Sequence, residues 1–239
     1  MQTAVLLHGF TQTRQSWRRT IAALGGRYRA LAPDLPGHGQ AAERRPASFT
    51  ACAAYVRALA GDRFTLVGYS MGGRIALYTA LTLPQHVERL VLVGASPGIA
   101  DAAEREERRR ADAALADRIE AIGVEAFATE WGSQDLFAGQ SERVAAAAHA
   151  DRLRNTADGL AAALRGLGTG VMPPLWDRLG ELAMPVTLVA GERDAKFRAI
   201  AGRMSGAIQD CHVVVIDGGG HAVQLEQPEL VAAAITGTP

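Results

Sequence analysis

The sequence predicts an α/β fold in which a mostly parallel central sheet is flanked by helices and interrupted by an inserted helical segment. Three observations carry this expectation. Short runs rich in Val and Leu alternate with helical periodicity over the first 95 residues, the alternation stops from Ser96 to about Gly180, and it resumes before the C-terminus. Strands that alternate with helices pair in parallel through crossovers, and runs apolar at nearly every position suit strands covered on both faces. At 239 residues the chain is long enough for one large domain with an insertion, a domain averaging on the order of 150 residues. Residues 1–95 and 181–239 are expected to form the core and 96–180 the insertion.

Taken in order, Ala4–Leu7, Tyr28–Ala32, Phe64–Val67 and Leu90–Val93 read as strands, separated by helical patterns near Ser16–Leu24, Phe49–Ala60 and Gly72–Leu83. From Asp101 to Glu120 the chain is densely charged, with Ala111, Leu115, Ile119 and Ile122 spaced as a helical stripe. Val186–Val189 and His212–Ile216 read as the returning strands, with helices near Phe197–Ile208 and after Pro228. No internal repeat or low-complexity linker separates these parts.

Apolar residues make up 48% of the chain and charged residues 21%, with 25 Lys+Arg balancing 25 Asp+Glu. This excludes a disordered tail, and it disfavours a nucleic-acid binder because no net positive charge exists to displace phosphate counterions. No apolar run approaches the roughly 20 residues that a bilayer span needs, and Thr3 enters a strand-like segment without the charged and apolar regions of a signal peptide. A cytoplasmic protein with no membrane or nucleic-acid partner is expected; its oligomeric state is left open, a monomer being plausible. Cys52 and Cys211 form no CxxC pattern and are expected to be reduced residues in or near the core. Neither they nor the histidines show metal-ligand spacing, so no metal and no cofactor are expected.

Gly68-Tyr69-Ser70-Met71-Gly72 matches GxSxG directly after one strand and directly before a helical pattern. The context gives the motif its weight. A nucleophile on a tight strand-to-helix turn needs glycines on either side, where a Cβ would clash, and gains an exposed hydroxyl facing a helix N-terminus. The helix dipole there favours developing negative charge. A serine hydroxyl becomes a useful nucleophile or base only when a histidine takes its proton and a carboxylate orients that histidine; on this kind of turn the chain order is Ser, Asp, His. His221 follows the last strand in the Gly218-Gly219-Gly220-His221 loop, whereas His212 lies within a strand, His149 in the insertion and His86 at a surface helix end. Asp194 follows the Val186–Val189 strand, and Asp217, on the same loop as His221, is the rival acid. Leu7-His8-Gly9-Phe10 follows the first strand, which makes the backbone N–H groups of Phe10 and Met71 the candidate oxyanion hole and His8 a structural residue. Asp34-Leu35-Pro36-Gly37-His38-Gly39 reads as a turn that shapes the loop beside this site.

Together these elements resemble the α/β-hydrolase superfamily over essentially the whole chain, which implies an α/β-hydrolase fold with residues 96–180 as a helical lid. Three stretches are similar to the 2-succinyl-6-hydroxy-2,4-cyclohexadiene-1-carboxylate synthases of menaquinone biosynthesis: Gly68 to Arg74, Leu164-Arg165-Gly166-Leu167-Gly168-Thr169-Gly170 leading to Pro174-Leu175-Trp176, and Gly191 to Phe197. That family consists of lyases that eliminate pyruvate from an enolpyruvyl cyclohexene dicarboxylate without a cofactor. The resemblance implies a triad of Ser70, Asp194 and His221 and substrate contacts from Tyr69, Arg74, Trp131 and Lys196. It implies lid arginines at Arg105 and Arg154, with Arg108 competing with Arg105 in the charged run. Two departures are Gln224, where members often carry a second histidine, and Thr11-Gln12-Thr13-Arg14 in place of a small-residue turn.

Charge leads to the same place. The substrate so implied is a small-molecule polycarboxylate, and arginine is suited to bidentate carboxylate binding; Arg74 lies about one helical turn after Ser70. Each of these residues also has a plainer reading: Arg74 in a structural ion pair, Arg105 and Arg154 on solvated helix faces, Trp131 in the lid core, Lys196 in an exposed loop. The rival functions are a serine hydrolase of esters, thioesters or carbon–carbon bonds, and a ligand-binding module on the same fold.

Overall fold

The computed structural model describes residues 1–237. The strands β1 (Gln2–Leu7), β2 (Tyr28–Leu31), β3 (Phe64–Tyr69), β4 (Val87–Val93), β5 (Val186–Gly191) and β6 (Cys211–Ile216) form one sheet in the order β2-β1-β3-β4-β5-β6. Each expected run overlaps one of them. Every pairing is parallel, a stricter arrangement than the mostly parallel sheet expected. The order changes direction between β1 and β3, so the loops that follow these two strands open a crevice at the carboxyl edge of the sheet, where open α/β sheets bind ligands.

Alternation along the strands divides the core in two. Val5, Leu7, Leu66, Leu90 and Leu188 face α2 (Phe49–Ala60), α3 (Met71–Thr82) and α7 (Ala195–Ser205). Ala4, Leu6, Val67, Tyr69 and Val91 face the side covered by α1 (Arg18–Ala23) and α9 (Pro228–Thr236). Covering both faces is what makes the central strands read as unbroken apolar runs; β3 is buried at every position, whereas the edge strand β2 is only half-buried. Helix α2 has the expected boundaries because its ends are marked locally: the Ser48 hydroxyl accepts from Ala51 N–H at the start, and Gly61 ends it.

Between β4 and β5 lie α4 (Ala102–Gly132), α5 (Glu142–Arg152) and α6 (Ala157–Leu167), whose first turns are capped by Asp101, Ser141 and Thr156. Gly123, at φ 79°, breaks α4 into two segments, and the second returns Phe127 and Trp131 to the ring of Phe10. Ala116, Ile119, Phe127, Leu160 and Leu164 join α4 to α6 in a small separate core. The buried face of α4 is rotated from the expected stripe. Ala111 is exposed and Asp112 is buried, because its carboxylate is satisfied inside by Arg108 Nε (2.7 Å) and Gly170 N–H (3.1 Å). Leu175, Leu179, Leu182 and Met184, just before β5, pack into the sheet core. Cys52 is buried, Cys211 is half-buried, and both are free. Among the described residues no helix is long and apolar enough to cross a membrane.

Candidate active site

Ser70 joins β3 to α3 at φ 50° and ψ −111°, a strained geometry for a residue with a side chain. Sterics impose it: a Cβ at Gly68 would run into Gly72 O, and one at Gly72 into Leu7 O, so only glycine lets the helix start this close to the strands. The Ser70 hydroxyl lies 3.3 Å from Nε2 of buried His221, whose Nδ1–H donates to Asp194 Oδ2 at 2.7 Å. With Nδ1 committed to the carboxylate, Nε2 is the lone-pair nitrogen that faces the serine. The other oxygen of Asp194 accepts from Phe197 N–H and caps α7. Rings of Phe197 and Tyr69 flank the imidazole at centroid distances of 4.6 and 5.3 Å. Asp217 is exposed, its backbone oxygen accepts from Gln227, and its carboxylate has no partner among the described residues. The structure brings Asp194 and not Asp217 to His221.

Phe10 and Met71 border the same cavity as Ser70, and among the described residues neither backbone N–H is taken by a hydrogen bond. His8 is fully buried and accepts from Leu35 N–H at 3.0 Å; His38 accepts from Thr11 N–H at 3.3 Å. Burial lowers the pKa of both below the ordinary histidine value, so both rings are neutral acceptors. Asp34 caps the same region, taking Arg14 N–H and Gln40 N–H on its two oxygens.

The cavity over Ser70 and His221 measures about 460 Å³. Phe10, Trp131 and Trp176 give it aromatic walls, Arg74, Arg108 and Lys196 give it three cations, and no Asp or Glu among the described residues lines it. Arg74 donates to Leu167 O at 2.9 Å and has no carboxylate within ion-pair distance among the described residues. Burial and the neighbouring Arg108 push its pKa down to about 10. Arg108 is anchored through Nε to Asp112, and Lys196 sits exposed at the rim, its ammonium 5.7 Å from the Phe197 ring centroid. Trp131 packs edge-on to Phe10 at 5.2 Å.

Three expected substrate contacts lie elsewhere. Arg105 turns back to the carbonyls of Ile99 and Ala100 ahead of α4, so Arg108 and not Arg105 lines the cavity. Arg154, past the end of α5, faces Asp151 and a different depression beside α1. Tyr69 follows Val67 onto the α1/α9 side of the sheet, as strand alternation requires; it backs His221 without lining the cavity. Two residues were missed. Trp176, whose Nε1–H is fixed on Gly98 O, lines the cavity, although in the sequence it stands out only as the end of a motif in the insertion. Arg152 is buried with its guanidinium 5.1 Å from the Phe137 ring centroid and, among the described residues, no partner for its Nε, and its positive charge acts on Tyr69. Nothing in a basic helix end separates a buried arginine from a solvated one two residues on.

A strained serine in the turn after the third strand, a histidine and a carboxylate from the last two strand ends, and a lid over them define a class: the chain belongs to the Alpha/beta hydrolase family, whose pattern it matches over residues 4–234. Within that class its similarity is to one group of enzymes. It is 35% identical over 94% of its length to the 2-succinyl-6-hydroxy-2,4-cyclohexadiene-1-carboxylate synthase of Citrobacter koseri, 88% of which is covered. It is 36% identical over 98% of its length to a Bacillus subtilis protein provisionally given the same name, with 89% covered. Among solved structures, MenH from S. aureus superposes with a TM-score of 0.92 at 33% identity, covering 99% of this chain and 92% of that one. A thermophilic esterase from Thermogutta terrifontis gives 0.81 at 27% identity, covering 99% and 89%.

Proposed function

We propose that the protein eliminates pyruvate from 2-succinyl-5-enolpyruvyl-6-hydroxy-3-cyclohexene-1-carboxylate to give 2-succinyl-6-hydroxy-2,4-cyclohexadiene-1-carboxylate. The relatives named for this synthase support the reading, and one observation of the site carries it: the cavity over Ser70 presents three cations and no carboxylate among the described residues. Three carboxylates on the substrate match three cations; a neutral acyl chain would leave half-buried Arg74 without a counter-charge, whereas Arg108 already meets Asp112 and Lys196 is exposed at the rim.

His221 takes the Ser70 proton, and the resulting alkoxide removes the C–H proton beside the succinyl ketone. The electron pair moves onto the ketone oxygen as an enolate, which the N–H groups of Phe10 and Met71 hold. Collapse of the enolate forms a C2=C3 double bond, shifts the existing C3=C4 double bond to C4=C5 and breaks the C5–O bond to the enolpyruvyl group. That group leaves as the enolate of pyruvate and takes up the proton lost by the substrate, delivered through Ser70 and protonated His221. No water is consumed and no cofactor is needed. Asp194 fixes the imidazole tautomer and stabilises its charged form. Arg74, Arg108 and Lys196 bind carboxylates, and Trp131 and Trp176 pack the ring. We place the reaction in the cytoplasm as part of the same proposal, a reducing compartment that suits the unpaired Cys52 and Cys211.

The test is pyruvate release from the enolpyruvyl precursor, followed by coupled reduction with lactate dehydrogenase, beside hydrolysis of p-nitrophenyl acetate. Faster turnover of the precursor by orders of magnitude supports the lyase; ester hydrolysis without pyruvate release supports the second reading, a serine hydrolase. The similarity to the Thermogutta terrifontis esterase is what keeps that second reading in play.

A further inference from the structure

We propose that Asn155, a lid residue, is a positioning residue for the oxyanion hole: it holds the loop after β1 in the shape that aims Phe10 N–H at the reacting oxygen. This rests on the reading of Phe10 and Met71 as the two donors. Two stretches that the mechanism leaves unused converge on Thr11 to Thr13 of this loop: the turn from Asp34 to Gly39 and the connection between α5 and α6.

Thr11 follows Phe10 directly and stands at φ 67°, a conformation strongly disfavoured for a β-branched residue. A peptide so strained keeps its shape only when its surroundings hold it from both sides. Its N–H donates to His38 Nε2 at 3.3 Å, and its carbonyl accepts from Asn155 Nδ2 at 2.8 Å. Asn155 is 5% exposed, and its amide is engaged at both ends. Nδ2 also donates to Arg152 O at 2.9 Å, and Oδ1 accepts from Gly39 N–H at 3.0 Å. Two carbonyl acceptors on one side and an N–H donor on the other allow only this orientation of the amide. Asn155 therefore ties the strained peptide to the turn that carries His38, its other holder. In the preceding turn of the lid, Asp151 accepts from Thr13 N–H at 2.9 Å and from the Thr13 hydroxyl. The lid grips alternate residues of the loop immediately after Phe10.

This makes the lid more than a cover. Cations that bind carboxylates matter only to an anionic substrate, whereas an oxyanion donor matters to any reaction that builds charge on a carbonyl oxygen. Loosening Asn155 is therefore expected to slow two unlike reactions alike.

The experiment compares Asn155→Ala and the isosteric Asn155→Asp, which still accepts from Gly39 N–H but has no N–H for Thr11 O. Both are assayed for kcat and KM in pyruvate elimination and in p-nitrophenyl acetate hydrolysis, with melting curves by circular dichroism. We expect kcat to fall roughly ten- to a hundredfold in both reactions and KM to stay within about threefold, because a misaimed donor costs somewhat less than the loss of one. A folded variant whose kcat stays within about twofold of the parent, or one in which KM alone rises, overturns the proposal. So does failure of both variants to fold, which makes Asn155 a structural residue. If the parent releases no pyruvate, the lyase reading fails while the ester arm still decides the role of Asn155; if the parent hydrolyses no ester, the pyruvate arm decides.

Discussion

Replacing Arg74 with alanine separates the lyase from the hydrolase. Among the described residues the guanidinium makes one hydrogen bond to protein, to Leu167 O at 2.9 Å, and Arg74 lines the cavity. With a pKa pushed down to about 10, roughly one guanidinium in a thousand is neutral at pH 7, and the group binds as a cation. A charge-assisted hydrogen bond of about 1.5–3 kcal/mol converts to a loss of roughly ten- to a hundred-and-fifty-fold in kcat/KM for the polycarboxylate. Arg74→Ala leaves Leu167 O unsatisfied, a cost of about 1 kcal/mol, but it also removes a cation that burial and Arg108 disfavour, so the melting temperature should change by only a few degrees. Hydrolysis of a neutral ester should change by less than about threefold. The assay is pyruvate release and p-nitrophenol release on the same folded preparation. If both activities drop together with a lowered Tm, Arg74 is a structural residue; if neither changes, the cationic cavity is not what selects the substrate.

Ser70→Ala should lower turnover by orders of magnitude while leaving the melting curve and precursor affinity near those of the parent, and a variant with near-normal turnover removes Ser70 from the mechanism. Asp194→Asn should be severely damaging, since it leaves His221 without its carboxylate, while Asp217→Asn should be mild; the reverse ranking in kcat would move the acid to the final loop. For His8 and His38 the folded-state pKa lies below the ordinary 6.5, so on acidification the unfolded chain binds protons first. Stability is then full above about pH 6.5 and falls as the pH drops toward the folded-state values, by up to about 1.4 kcal/mol per pH unit for each ring. Urea midpoints measured from pH 7.5 to 5 check this, and a flat profile contradicts it.

Those parts of the fold that depend on one local cause were legible in the sequence. Val- and Leu-rich runs locate the central strands because a doubly covered parallel strand has no polar face to confuse the pattern, the half-buried edge strand β2 is found by its place in the alternation of strands and helices, and the Ser48 cap and Gly61 hold α2 to the span that its pattern predicts. The triad was legible for a similar reason: Ser70, Asp194 and His221 each stand at a strand end, and strand order sets their sequence order. The lid arginines were not. Arg105 and Arg108 are a helical turn apart on nearly the same face, and what separates them is the fold of the segment ahead of α4, whose Ile99 and Ala100 carbonyls capture Arg105. Arg152 and Arg154 differ by whether the chain has left the helix, and Tyr69 by which face of β3 it occupies. The role of Asn155 is not legible, since Thr11 and Gly39, the partners that give it one, lie more than a hundred residues away in the chain and its contact with Arg152 O is one that any asparagine at a helix end can make.

Asp194 divides its two oxygens between different tasks, one for the imidazole and one for the first turn of α7. The helix so capped carries Lys196 and Phe197, which form the rim of the cavity and one face of the imidazole. A cap of this kind is worth about 0.5–2 kcal/mol, a sizeable share of the few kcal/mol by which a domain stays folded. Mutational decay at this position is therefore coupled to turnover of the protein itself: a descendant with an apolar residue there loses its chemistry and part of its folding margin in one step. Asparagine, serine or threonine keeps an oxygen for the helix while depriving the histidine of its charged partner. A copy of this chain that lost the acid and still stayed folded would have to carry a capping residue such as asparagine, serine or threonine there, or acquire a new cap for α7 first.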